Sequence, residues 1–129
     1  MFSHVSFTSI PVADLDRALA FYRDVVGCEV VMDDAGAFGR WVMLGIPGAR
    51  TRIQFDVHGP KPGTTPGTPH PRPALVLAAP DVEEAVETLA SRGATVAAPA
   101  GPAEWNAEVT RAMIADSEGN LILIADRAP

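Results

Sequence analysis

Trp41, Met43, Arg52, Gln54 and Asp56 fall at alternate positions of two neighbouring runs, 40–46 and 51–57. Pro47, Gly48 and Ala49 lie between the runs and signal a hairpin. With Gly48 and Ala49 as a two-residue turn, Gly45 faces Arg52, Met43 faces Gln54 and Trp41 faces Asp56. Opposed residues share a face of a sheet. One face then carries Val42, Leu44, Ile46, Ile53 and Phe55, and suits packing under a helix. The other carries an indole, a thioether, a guanidinium, an amide and a carboxylate. That mixture suits a binding cleft, where a few polar groups orient a small molecule. Arg52 can anchor a carboxylate or phenolate there.

The last two runs, 109–115 and 120–125, repeat the arrangement around the turn DSEGN. Ile114, Ile122 and Ile124 share one face. Arg111, Met113, Leu121 and Leu123 share the other, and Arg111 is a second candidate anchor. Trp105 precedes this hairpin in a Gly/Pro-rich loop.

Catalytic patterns are sparse. No Ser-His-Asp or Cys-His arrangement is visible, and there is no Gly-rich phosphate loop. His4, His58 and His70 lie in separate segments and read as surface or hydrogen-bonded groups, with a metal site regrouped around His58 and His70 as the alternative. Asp56, Glu108 and the histidines remain as groups able to move a proton. Cys28 has no basic partner nearby in sequence and reads as a small buried hydrophobe.

The chain has 129 residues, suited to one compact domain, and 47% of them are hydrophobic, enough for a core. Formal net charge is −6 without a run of like charges, which argues against nucleic acid as a partner. No apolar run is long enough to cross a bilayer. The opening MFSHVSFTSI lacks the charged and apolar regions of a signal peptide. With a single cysteine, these features point to a soluble, cytoplasmic protein.

Residues 5–10 have strand character. Asp14 is a helix N-cap, apolar residues from Leu15 to Val26 recur at helical spacing, and Gly27 closes the helix. Strands are expected at 28–32, 40–46 and 51–57, with a turn at 33–36. The segment GPKPGTTPGTPHPRP, 59–73, has no apolar periodicity and reads as a linker or a lid, mobile without ligand. The pattern then restarts with a strand at 74–79. Asp81 and Glu84 form a capping box, a helical stripe runs to Gly93, and strands follow at 94–97, 109–115 and 120–125. A βαβββ unit is thus written twice, over 1–58 and 74–129.

The duplication resembles the vicinal oxygen chelate superfamily of glyoxalase I, extradiol dioxygenases and bleomycin-resistance proteins. The resemblance rests on PVADLDRA from Pro11, on Phe21, Tyr22 and Gly27, and on the DSEGN turn from Asp116. It implies an α+β fold: two βαβββ modules forming a curved mixed sheet with a central cleft and the helices outside. It also implies a homodimer.

Enzymes of that superfamily hold a divalent metal through His, Glu or Gln on the first and fourth strands of each module. Carried onto this chain, the four positions fall at Phe7, Gln54, Ala74 and Leu123. Gln54 alone carries an oxygen, whereas catalytic metal sites use about three protein ligands. No metal and no other cofactor is therefore expected. The expected ligand surface comprises Phe7, Trp41, Met43, Arg52, Gln54, Asp56, Trp105, Arg111, Met113 and Leu123.

Two functions follow from the resemblance. One is a metal-free binder of an apolar or aromatic small molecule, similar to the bleomycin-resistance branch. The other is a glyoxalase-like lyase, isomerase or dioxygenase acting on a small metabolite.

Overall fold

The computed structural model describes residues 1–59 and 72–127. The chain divides into two compact units, Met1–Lys61 and Pro62–Pro129. Each is a βαβββ module with one four-stranded mixed sheet and one helix. Most of segment 59–73, with its expected linker or lid role and its mobility, lies outside the described residues, as does His70.

The first module runs β1 (Phe7–Pro11), α1 (Leu15–Ala20), β2 (Glu29–Gly36), β3 (Gly39–Gly45) and β4 (Arg52–Asp56). Its sheet order is β1-β4-β3-β2, with β1 parallel to β4 and the other pairs antiparallel. The second module runs β5 (Leu75–Ala78), α2 (Val82–Ser91), β6 (Thr95–Pro102), β7 (Thr110–Ala115) and β8 (Leu121–Ala125). Its order, β5-β8-β7-β6, is the same arrangement.

Both helices begin as their caps dictate. The Asp14 carboxylate accepts the Arg17 N–H at 3.0 Å, and Asp81 accepts that of Glu84 at 3.0 Å. The spacing predicts one α-helix from Leu15 to Val26. The structure instead passes from α1 into a π-helical turn over Phe21–Val26. The cause lies in the duplication. Asp14 to Gly27 is one residue longer than Asp81 to Gly93, and a π-turn absorbs one extra residue. Gly27 then takes φ 90° as the cap. The π-turn carries Tyr22, fully buried, with its ring 5.3 Å from Phe21 and 5.4 Å from Phe55. Ile10, Val42, Leu44, Ile53 and Phe55 are buried on this face, as the alternation requires.

Two edge strands are longer than their sequence suggests. β2 runs to Gly36 through Asp33 and Asp34, where a turn is predicted. Arg40 explains this. It donates to both Asp33 oxygens, at 2.7 and 2.9 Å, and to Asp16 at 2.7 Å, tying the hairpin to α1. These bonds hold the Asp33 carboxyl below the usual carboxylate range. β6 runs from Thr95 to Pro102, beyond the predicted end at residue 97. Its prolines are tolerated because β6 lies at the edge of its sheet within the module, where unpaired backbone is allowed. Register shifts after Val96 and Ala98 accommodate them.

The DSEGN turn is held by its first residue. Asp116 Oδ1 accepts the N–H groups of Glu118 at 2.8 Å and Asn120 at 2.7 Å, and Oδ2 accepts Asn120 Nδ2 at 2.8 Å. Gly119 takes φ 86°, which the other residues of this turn would adopt only with strain. Cys28 is buried, and burial pushes its thiol pKa up to about 11, so it behaves as the small hydrophobe expected. No helix among the described residues is long and apolar enough to cross a membrane.

Candidate functional site

The sheet register decides which side chains meet. Met43 pairs with Gln54, Leu44 with Ile53 and Gly45 with Arg52, the register predicted from the hairpin. The tight turn itself spans Ile46 to Ala49, with the Ala49 N–H bonded to the Ile46 carbonyl at 2.9 Å and Gly48 at φ 82°. Pro47 and Gly48 are thus its central residues, rather than Gly48 and Ala49.

Reading across the first sheet gives rows on the face opposite Tyr22. Phe7, Arg52, Gly45 and Glu29 form one row. Ser9, Gln54, Met43 and Met32 form the next. Pro11 pairs with Asp56, and Trp41 with Asp34, beyond them. Phe7, Trp41, Met43, Arg52, Gln54 and Asp56 therefore share one sheet face. Phe7 is 42% exposed and Trp41 45%, while Met43 is nearly buried. Two large rings stand open on a surface whose centre is covered.

Trp41 and Gln54 are locked together. The indole Nε1 donates to Gln54 Oε1 at 3.0 Å. An indole N–H can only donate, so it fixes the amide with its oxygen toward the indole and its NH₂ turned away from it. Asp56 is engaged too: its Oδ1 accepts the His58 N–H at 2.8 Å and closes the end of β4.

In the second module, Arg111 pairs with Ala125, Met113 with Leu123, and Val76 with Leu123, so these side chains share one face of that sheet. Leu123 is nearly buried and Val76 is exposed. Arg111 has a partner the sequence did not reveal. Its Nε lies 3.2 Å from Glu104 Oε2, its Nη2 also bonds Glu104 Oε1, and its Nη1 donates to the Pro99 carbonyl at 3.0 Å. Those bonds hold the Glu104 carboxyl below its ordinary value. Glu104 lies in a loop, where no periodicity could link it to Arg111. Trp105, beside it, is 45% exposed.

The candidate proton-transfer groups among the described residues do not gather. His4 bonds to Ser3 at 2.8 Å, and both are exposed, as is His58. Among the described residues, no three His, Cys, Asp or Glu side chains come together. A depression at the start of α2 in the second module is lined by Pro80, Asp81, Val82, Glu83, Thr110 and Asp126.

The sequence pattern of the Glyoxalase/Bleomycin resistance protein/Dioxygenase superfamily matches residues 2–124. The chain belongs to that superfamily. No curated protein sequence matches it. Among solved structures, TnmS3, an antibiotic-binding protein from a Streptomyces species, is 29% identical with a TM-score of 0.76. The alignment covers 95% of this chain and 94% of that one. A superfamily member from Sphaerobacter thermophilus is 28% identical over 96% of this chain and 97% of its own, with a TM-score of 0.77. UcmS2, 22% identical over 98% of this chain and 100% of its own, shares the fold with a TM-score of 0.78.

The superfamily's metal positions can be tested against the chemistry present. Phe7 and Gln54 lie on one face of the first sheet, and Ala74 and Leu123 are their counterparts in the second module. Three of the four are hydrocarbon. The fourth, Gln54, already spends its oxygen on Trp41. This donor set does not fit a divalent cation.

Proposed function

We propose that the protein is a metal-free small-molecule binder of the bleomycin-resistance type, holding an apolar, aromatic ligand against the sheet face that carries Phe7 and Trp41. The observation that carries this reading is the Trp41–Gln54 bond at the position where an enzyme of the superfamily would place a metal ligand. The bond converts a ligand position into the backing of an aromatic wall. Such a wall can stack on a planar guest. The antibiotic-binding character of TnmS3 supports a small-molecule ligand and a sequestering role.

A screen of aromatic metabolites and natural products, read by tryptophan emission in a Trp105→Phe background, tests the reading. A saturable change in Trp41 emission is expected with at least one compound class. A broad screen that never perturbs Trp41 would count against it.

The same reading includes a cytoplasmic homodimer. Within its own module each sheet ends in two edge strands, β1 and β2 or β5 and β6, which present unpaired backbone groups unless covered. Light scattering at micromolar concentration should return twice the 13.6 kDa chain mass. A monomeric mass there would overturn the dimer.

A further inference from the structure

We infer that the first sheet carries a carboxylate-recognising subsite at Arg52, and that its ligand is a planar aromatic acid; this rests on the binder reading above.

Two arginines face ligand-bearing surfaces in the sequence, and the structure separates them. Arg111 is neutralised by Glu104 within its own module. Arg52 is half-buried, and among the described residues its guanidinium has no hydrogen-bond or ion-pair partner. Glu29 shares its row across Gly45 yet makes no ion pair with it.

Gly45 creates the seat. A Cβ built there would lie 2.2 Å from Arg52 Nη1 and 3.3 Å from both Cδ and Cζ. The Arg52 side chain therefore lies flat over the backbone of β3, in the notch that the missing side chain leaves. The backbone of Gly45 does not have the positive φ that would itself demand glycine. Close approach of the guanidinium is what the position accommodates.

The neighbours complete the chemistry. Gln54 follows Arg52 by two residues on β4, so the two point from the same face about 7 Å apart. With its oxygen held by Trp41, Gln54 presents an NH₂ that has no partner among the described residues. Phe7 flanks Arg52 on one side, and Trp41 stands beyond Gln54. Two donors and two rings thus look outward, while the nearest carboxylate on the strand, Asp56, is turned to His58. A surface of donors between rings selects an acceptor carried on an aromatic plate. A guanidinium binds a carboxylate through two parallel hydrogen bonds.

Calorimetric titration of the full chain with naphthoate and with its neutral carboxamide tests the assignment. The wild type should bind the acid at least about tenfold more tightly than the amide. Arg52→Gln should bring the two affinities within about threefold of each other, because the bidentate anchor is gone. Gly45→Ala should do the same while leaving the arginine in place, since its methyl displaces the guanidinium. If Gly45→Ala does not fold, Arg52→Gln carries the test, with its thermal melting as the check on folding. Equal binding of acid and amide by the wild type overturns the inference but leaves the binder reading standing. Acid preference that survives Arg52→Gln also overturns it, since the anion is then read elsewhere. Failure of both probes to bind at millimolar concentration overturns it and counts against the binder reading as well.

Discussion

Trp41→Ala is expected to weaken binding of an aromatic ligand by about tenfold or more, a loss of at least about 1.4 kcal/mol. Two effects add. The stacking wall disappears, worth on the order of 1 kcal/mol beyond simple burial. The Gln54 amide also loses the bond that fixes its orientation, so its NH₂ no longer arrives preorganised. Trp41→Phe separates the two, because it keeps a ring and removes the indole N–H. Its affinity should fall between wild type and Trp41→Ala. The check is titration calorimetry with any compound that perturbs Trp41 emission. Undiminished affinity in Trp41→Ala would place the ligand elsewhere.

Asp116→Ala should cost the second module about 3 kcal/mol or more of stability. Asp116 is 8% exposed and accepts hydrogen bonds from the Glu118 N–H and from both the N–H and the Nδ2 of Asn120, which is 3% exposed. Removing the carboxylate strands buried donors without water to replace it, and that desolvation cost outweighs the bonds' modest net value. Asp116→Asn should recover part of the loss. Its remaining oxygen can accept backbone N–H groups, but its NH₂ would oppose the donor Nδ2 of Asn120. Urea unfolding measures both variants. A loss under about 1 kcal/mol for Asp116→Ala would show that the turn is held by other contacts.

These two residues also show what the sequence could and could not reveal. The DSEGN turn was legible because its function is local: Asp, Gly and Asn stand at the positions that the turn's bonds and its positive φ require. The β3–β4 register was legible for a similar reason. The two-residue period leaves little freedom even though the tight turn sits one residue earlier than expected: a slip by one would bury Arg52 and expose Leu44. That register placed Trp41 and Gln54 on one face. It could not show that they bond, because a side-chain hydrogen bond depends on rotamers rather than on spacing.

The misses have physical causes. β2 runs through Asp33 and Asp34 because Arg40, brought in by β3, compensates their charge. β6 contains Pro99 and Pro102 because a module-edge strand need not donate every N–H. The π-turn at Phe21–Val26 was hidden because its residues keep an ordinary apolar stripe. Arg111 lies against Glu104, a loop residue that no spacing in the sequence links to it. The Arg52 guanidinium lies over Gly45, a packing that depends on rotamers rather than on spacing.

The proposed binder uses the superfamily's metal-ligand positions as part of a ligand surface, so it should hold no metal there. Elemental analysis tests it most directly, on protein purified without chelators and then dialysed against zinc, nickel, iron and manganese. Well under one metal ion per chain is expected after free ions are removed, since a lone amide oxygen already bonded to Trp41 cannot hold a divalent cation against water. About one tightly held ion per chain would contradict it.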